Sequence, residues 1–187
     1  MATVKFFLGI ICFALAGSYS LPGSGSVNLL QGPTLADRQK LLQVAEKELG
    51  VRELSGNNDG PRVTAYLSYV HVPEGSAWCA AFVSWVFGQA GYPAPRTAWS
   101  PALFPLSKRT QEIRPAMVFG IYFSHLKRIA HCGLVDGQDG DWLVTIEGNT
   151  NRAGSREGDG VYRKRRHLKA VKYFADWMKR KGGDDEN

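Results

Sequence analysis

Three separated segments carry residue types that together can perform thiol chemistry. Cys79 precedes the apolar run 80–87, which predicts that it lies in the first turn of a buried helix. There the free N–H groups and the positive end of the helix dipole favour a thiolate over a thiol. Further along the chain, His131 is a candidate base, and Glu147 and Asn149 are candidate orienting groups. Nucleophile, base and orienter in this order indicate a cysteine hydrolase.

Each of these residues has an expected role. Cys79 attacks a carbonyl carbon as a thiolate, and His131 takes up a proton and later hands one to the leaving amine. Glu147 accepts a hydrogen bond from the other imidazole nitrogen, and Asn149 either does the same or holds Glu147. The backbone N–H of Cys79 is the expected first donor to the oxyanion, and a second donor is not identified.

A hairpin between the last two motifs is expected to bring the base and its orienter together. Residues 138–140 (Gln-Asp-Gly) fit a three-residue loop closed by a left-handed glycine. In that register Glu147 lies directly across from His131, with about 5 Å between Cβ atoms. A loop of two or four residues would instead place Glu147 on the opposite face.

The surrounding sequence predicts helices first and strands later, an α+β fold with an antiparallel sheet packed against the N-terminal helices. A first helix starts at a capping box of Thr34 and Asp37 and stops at Gly50, and the helix with Cys79 has Ser76 as its N-cap. The remaining expected elements are a helix at 62–70, irregular structure at 92–115, strands at 116–123, 129–136, 142–147 and 161–163, and an amphipathic closing helix through 168–178.

The N-terminus is typical of an exported protein. Lys5 precedes an apolar stretch at 6–17 with small residues after it, so residues 1–20 are expected to be a signal peptide. A retained membrane anchor is the alternative, although the apolar stretch is short for a bilayer. We therefore expect a secreted or periplasmic protein.

The rest of the chain divides simply. Residues 21–33 form a linker rich in Gly, Ser and Pro, 34–181 a single domain, and 182–187 a disordered tail. Removal of residues 1–20 lowers the net charge from +6 to +5, since the segment holds Lys5 and no acidic residue. Such a charge attracts anionic polymers but does not select one, and it is also common in merely soluble proteins.

Two cysteines remain after processing, and the second admits three interpretations. Cys132 is predicted to be a small buried apolar residue that points away from His131, because neighbours in a strand face opposite sides. In an exported protein it could instead form a disulfide with Cys79. A zinc site with Cys79, His131 and His125 is disfavoured by the same alternation and by the absence of a ligand-spacing motif.

The cationic run 163–166 is expected to be a solvated strand end, with docking to an anionic wall polymer as the alternative.

Four segments resemble the CHAP family of cysteine- and histidine-dependent amidohydrolases and peptidases, within the papain-like group. They are Glu48-Leu49-Gly50-Val51-Arg52-Glu53, Trp78-Cys79-Ala80-Ala81-Phe82-Val83-Ser84-Trp85, His131-Cys132-Gly133-Leu134-Val135 and Ile146-Glu147-Gly148-Asn149-Thr150-Asn151. The likeness extends over about residues 37–166. Ala116-Met117 stands where family members often have Gly-Asp, and Cys132 stands where many have Val or Ile.

The resemblance implies a papain-like fold, no cofactor, and cleavage of an amide bond in bacterial peptidoglycan. By motif match it assigns the nucleophile to Cys79, the base to His131 and the orienting role to Glu147, with Asn149 also in the site. Peptidoglycan is then the expected partner of a monomeric enzyme, without nucleic acid or a stable membrane anchor. The bond cleaved is either the N-acetylmuramoyl-L-alanine amide or a peptide bond. A non-catalytic wall-binding module on the same scaffold is the alternative.

Overall fold

The computed structural model describes Met1 and residues 32–153 and 158–178. Residues 2–20 of the predicted signal peptide, most of the predicted linker and the predicted C-terminal tail lie outside these residues. Within them, the helices are α1 (Leu35–Glu46), α2 (Pro61–Tyr69) and α3 (Cys79–Gln89), and the strands are β1 (Arg109–Thr110), β2 (Val118–Phe123), β3 (Arg128–Asp139), β4 (Trp142–Thr150), β5 (Gly160–His167) and β6 (Tyr173–Ala175). Short 3₁₀ turns occupy Ser100–Leu103, Leu106–Lys108, Ser124–Leu126 and Leu168–Ala170.

The strands form one antiparallel sheet in the order β1-β6-β2-β3-β4-β5. The α3 helix packs against β3 and β4 on one face, and α1 and α2 pack against α3. A smaller apolar cluster of Met117, Phe119, Val135 and Leu143 covers the other face. The predicted α+β class, with its antiparallel sheet and N-terminal helices, is confirmed.

The capping box that begins α1 is also confirmed. Thr34 Oγ1 accepts a hydrogen bond from the Asp37 N–H at 3.2 Å, and Asp37 Oδ2 accepts one from the Thr34 N–H at 3.0 Å. The helix nevertheless ends at Glu46, and residues 47–50 form turns that reach Gly50, with φ of 91°. Gly50 is therefore the end of a turn and not the helix C-cap.

The α3 helix begins two residues later than expected. Trp78 is its N-cap, and its carbonyl accepts the Phe82 N–H at 2.8 Å. Cys79 is thus the first helical residue and not the third, and the prediction of Ser76 as N-cap is wrong. Cys79 still lies in the turn whose N–H groups have no carbonyl partner within the helix.

The predicted closing helix is wrong. Leu168–Ala170 forms a single 3₁₀ turn, after which Tyr173–Ala175 becomes β6 between β1 and β2. Ala175 pairs with Val118, and Phe174 with Phe119. The helical spacing of apolar residues in this segment is overridden because pairing with two neighbouring strands satisfies the backbone of a short aromatic stretch.

The hairpin that joins β3 and β4 differs from the prediction in two compensating ways. Asp139 pairs with Trp142, so the loop has two residues instead of three. A β-bulge at Asp136 then shifts the register by one, and Val135 pairs with Thr145. The two-residue loop alone would have placed Glu147 on the opposite face of the sheet from His131. The bulge returns it to the same face.

The part of the chain at residues 32–153 and 158–178 contains no helix that is both long and apolar enough to cross a bilayer.

Candidate active site

The Cys79 thiol lies at the start of α3, close to the sheet. Gly148 permits this approach, since a Cβ at that position would lie 2.7 Å from ring atoms of both Trp78 and Phe82. Cys79 is only 4% exposed. Its Sγ lies 3.4 Å from the hydroxyl oxygen of Ser100, which is buried at the start of the 3₁₀ turn after α3. The nucleophile candidate therefore sits between a helix N-terminus and a buried hydroxyl.

His131 and Glu147 are joined on the sheet. His131 Nε2 donates a hydrogen bond to Glu147 Oε2 at 2.8 Å, and both side chains are buried. The observed register places Glu147 beside Gly133 and diagonal to His131, so the predicted direct opposition is wrong. The contact forms because Gly133 leaves room for it: a Cβ there would lie 2.8 Å from Cγ of Glu147.

The Glu147 carboxylate is saturated with hydrogen bonds. Oε1 accepts from the Thr145 hydroxyl at 2.6 Å and from Arg166 Nε at 2.9 Å. Oε2 accepts from His131 and from Arg166 Nη2 at 2.6 Å. Four donors match the acceptor capacity of an ionised carboxylate, and they fix both its charge and its orientation.

These contacts set the protonation of the pair. Burial raises the pKa of Glu147, but the hydrogen bonds from Arg166 and His131 outweigh burial and lower that pKa to about 2. Burial lowers the pKa of His131, yet its interactions with Cys79 and Glu147 raise that pKa to about 9. His131 is accordingly an imidazolium and Glu147 a carboxylate at neutral pH.

The Cys79 and Cys132 thiols interact with each other, and the negative charge belongs on Cys79. Interaction with Cys132 lowers the pKa of Cys79 well below its usual value, burial opposes this, and His131 and Ser100 lower it further. Burial and the Cys79 thiolate raise the pKa of Cys132 well above its usual value. Position supports the same assignment, since Cys79 lies at a helix N-terminus whereas Cys132 is in mid-strand.

Both cysteines are free thiols. The prediction that Cys132 is only a buried apolar residue pointing away from the site is wrong, because it and its neighbour His131 both interact with the Cys79 thiol. Strand alternation excludes such a meeting for a regular strand, but a register shift of β2 against β3 lies beside His131.

The second nitrogen of the imidazole ring, Nδ1, is the one that no group of the described chain holds. Nδ1 of His131 is buried and has no hydrogen-bond partner among the described residues. The ring and the Cys79 thiol thus influence each other's pKa at close range without a formed hydrogen bond. Because Nε2 is committed to Glu147, Nδ1 is the ring atom that can exchange a proton with the thiol or with a bound group.

Asn149 lies next to this constellation but is tied in another direction. It is buried, adopts a left-handed φ of 52°, and donates from Nδ2 to Asn58 Oδ1 at 2.6 Å. The Asn58 N–H in turn donates to Glu53 at 3.0 Å, and Glu53 accepts the Trp78 indole N–H at 2.8 Å. Glu147 fills the position beside the imidazole, while Asn149 links β4 to the loop before α2 and to the residue that precedes Cys79.

Two residues beside the site, Ser100 and Arg166, had no predicted role in it, and Cys132 was expected to point away from it. Ser100 lies in a proline-rich segment without periodicity, so its place beside Cys79 had no sequence signal. Arg166 was hidden inside a run of four cations. The alternation of side chains in a strand could have divided this run between the two faces of the sheet. In β5, Lys164 and Arg166 share a face with Glu147. Arg163 and Arg165 lie on the opposite face.

The cationic run is consequently neither a free surface patch nor a purely solvated strand end. Arg163 pairs with Glu46 at 2.5 Å and Asp136 at 2.9 Å, and Arg165 pairs with Asp139 at 3.3 Å. Lys164 donates to the carbonyl oxygens of Asn151, at 2.7 Å, and of Arg152.

Within residues 32–153 and 158–178, no group of three or more His, Cys, Asp or Glu side chains is arranged to hold a metal ion. The acidic loop at 57–59 uses its carboxylate internally: Asp59 accepts from the N–H groups of Leu54 and Ser55 and from the Ser55 hydroxyl.

Comparison with known proteins yields little. No family model matches the sequence, and none of the curated proteins matches it. Among solved structures, the crystal structure of Ly7917 with the hydrolyzing product of MDP is similar, with a TM-score of 0.43 and 14% identity over 74% of this chain. The match spans 62% of that protein. A similarity this low carries no argument about the fold or the activity of this chain.

Proposed function

We propose that this protein is a cysteine amidohydrolase or peptidase in which Cys79 is the nucleophile, His131 the general acid and base, and Glu147 the residue that orients His131. One observation carries the proposal: a buried thiol at a helix N-terminus interacts with an imidazole whose Nε2 is hydrogen-bonded to a buried carboxylate. The opposite pKa shifts of Cys79 and His131 favour a thiolate–imidazolium pair.

The reaction follows from these positions. The Cys79 thiolate attacks the carbonyl carbon of an amide, and the oxyanion forms near the free N–H groups of the first turn of α3. His131 gives its Nδ1 proton to the leaving nitrogen, the C–N bond breaks, and a thioester and a free amine result. Water then attacks the thioester with His131 as base. The C–S bond breaks, the carboxylic acid leaves, and the thiolate–imidazolium pair is restored.

The substrate class rests on the resemblance of the sequence to the CHAP family. We infer an amide bond of bacterial peptidoglycan, either the N-acetylmuramoyl-L-alanine amide or a peptide bond, and a papain-like fold. The predicted signal peptide adds that the enzyme acts outside the cytoplasm, as a secreted or periplasmic protein.

Digestion of purified peptidoglycan tests the proposal. Wild-type protein and Cys79→Ala would be incubated with it side by side, and the soluble products identified by mass spectrometry. We expect fragments from wild type alone, and their new termini would identify the bond. Turnover by a folded Cys79→Ala variant would contradict thiol catalysis. Binding to peptidoglycan without turnover, with a free thiol present, would point to the wall-binding module.

Export is tested separately. The intact mass of protein recovered from outside the cytoplasm of a producing cell is expected to correspond to cleavage close to residue 20. Retention of the full-length chain in the membrane fraction would support an anchor instead.

A further inference from the structure

Arg166 occupies an unusual position for a residue of a cationic strand. Its side chain is 15% exposed, and it binds both oxygens of the fully buried Glu147 in a two-point contact through Nε and Nη2. His131 donates a hydrogen bond to the same carboxylate. A guanidinium therefore binds the same carboxylate as the imidazole that interacts with the thiol.

We propose that Arg166 is a positioning residue of the thiol site, which offsets the charge of Glu147 and so limits how tightly His131 holds its proton. The inference rests on the proposed function and deepens it, because it concerns the acid and base of the same site. Arg166 acts through Glu147 and is not expected to touch the substrate.

The electrostatic argument follows from the order of the charges. Thiolate, imidazolium, carboxylate and guanidinium alternate in sign, so the buried cluster is neutral as a whole. Without Arg166, the carboxylate would face His131 uncompensated in a site of low dielectric constant, and the imidazolium would be stabilised more strongly. An acid that holds its proton too firmly is a poor donor to a leaving amine, and its conjugate base is unavailable to activate water.

The other charged and titratable groups around the pair do not replace Arg166. Cys79 from α3 and Cys132 from β3 lie on the thiol side of His131. From β5, Lys164 acts on Glu147 only at longer range, since its amine is bound to the carbonyl oxygens of residues 151 and 152. Thr145 donates one neutral hydrogen bond to Oε1. The two-point cationic contact is made by Arg166.

The test is an NMR titration of the His131 ring between pH 5 and 11 in full-length wild type and Arg166→Gln, with the signal assigned through His131→Gln. We expect the midpoint to rise by about one pH unit in Arg166→Gln. The alkaline limb of the pH profile of kcat/KM should move in the same direction. Glu147→Gln should lower both the His131 midpoint and the alkaline limb of kcat/KM. If Arg166 had a purely structural role, Arg166→Gln and Glu147→Gln would not shift the midpoint in opposite directions.

Arg165→Gln is the matched control. It removes one cation from the adjacent position of the same strand, where the side chain is exposed and pairs with Asp139. The His131 midpoint should remain within a few tenths of a pH unit of wild type, because exposed charges are screened by solvent.

Arg166→Lys keeps the proposal testable if Arg166→Gln does not fold. Lysine retains the charge but cannot bind two oxygens in the fork geometry, so the midpoint should rise by a smaller amount. A folded Arg166→Gln, or in its absence a folded Arg166→Lys, with an unchanged or lowered His131 midpoint would overturn the proposal. Because the titration needs no substrate, it stays decisive even if the protein proves not to hydrolyse peptidoglycan.

Discussion

The two ends of the candidate site are held in different ways. At the carboxylate end, Glu147 receives four hydrogen bonds of 2.6 to 2.9 Å from three residues on three strands. At the thiol end, Cys79 Sγ has a 3.4 Å contact with Ser100, and Nδ1 of His131 makes no hydrogen bond with the described residues. One end is fixed by four hydrogen bonds, and the other keeps a ring nitrogen and a thiol with few contacts.

This difference is what nucleophilic catalysis requires. The orienting end must not move, because it sets the tautomer and direction of the imidazole. The reacting end must give up and accept protons during the cycle, so strong permanent bonds there would compete with the substrate. The following experiments act on one end or the other, and the rigid end should be the more sensitive.

Glu147→Gln should have the largest effect. The variant keeps the shape of the side chain but removes the charge that fixes the imidazolium and its tautomer. We expect kcat to fall by about 10²- to 10⁴-fold. Steady-state kinetics would measure this, with the exposed Glu112→Gln as control. Near-normal kcat in Glu147→Gln would show that His131 needs no orienting carboxylate.

The pH profile tests the coupling between the two ends. With the pKa of His131 at about 9, kcat/KM should fall roughly tenfold per pH unit above pH 9 as the imidazolium is lost. In Glu147→Gln the same limb should appear at lower pH, because the carboxylate helps to raise that pKa. A limb that stays in place would uncouple Glu147 from His131.

Folding stability should depend on pH with two signs. The folded-state pKa of His131 is raised, so its contribution is complete below its unfolded pKa of about 6.5 and disappears as the pH rises through 9. The folded-state pKa of Glu147 is lowered, so its contribution to stability is present above about pH 4.5 and is lost as the pH falls toward 2. The lowered pKa of Cys79 adds stability as the pH rises above 7, which opposes the loss from His131 there. The comparison is therefore made on the acid side: denaturant unfolding at pH 5 and pH 3 should show lower stability at pH 3, and less of that loss in Glu147→Gln.

Gly133→Ala should perturb the rigid end without changing any charge. The added Cβ would lie 2.8 Å from Cγ of Glu147 and 2.9 Å from the carbonyl oxygen of Ile146. Displacement of the carboxylate is expected to lower kcat/KM by about tenfold or more, and overpacking to lower the free energy of unfolding by about 1–3 kcal/mol. Gly137→Ala, on the same strand with open space around it, is the control. Equal activity of the two variants would argue against close packing of Glu147 over Gly133.

Ser100→Ala should have the smallest effect, because it removes one long contact at the loosely held end. The thiolate loses one of several stabilising groups, so the pKa of Cys79 should rise and kcat/KM fall by a few-fold. The rate of Cys79 alkylation against pH would report the thiolate directly, with the exposed Ser107→Ala as control. A loss as large as that of Glu147→Gln would mean that Ser100 does more than stabilise the thiolate.

The hairpin shows how far local sequence reasoning reaches. The turn residues predicted a hairpin between His131 and Glu147, and the two side chains do meet. The predicted register was nevertheless wrong, because a two-residue loop and a bulge at Asp136 replace the expected three-residue loop. Each change alone would have moved Glu147 to the other face, and only together do they keep it beside His131. A bulge arises from the fit of neighbouring strands, which a local pattern does not contain.

By itself the sequence determined the succession of three helices followed by strands, the capping box of α1, and the candidates Cys79, His131 and Glu147, since these follow from residue types and short-range periodicity. The tertiary structure decided what surrounds those residues. It placed Ser100 and Cys132 beside the thiol, turned Arg166 toward Glu147 and Asn149 toward Asn58, and made a strand of residues 173–175. These outcomes depend on contacts between segments far apart in the chain, and such contacts are fixed by packing and by the pairing of buried polar groups.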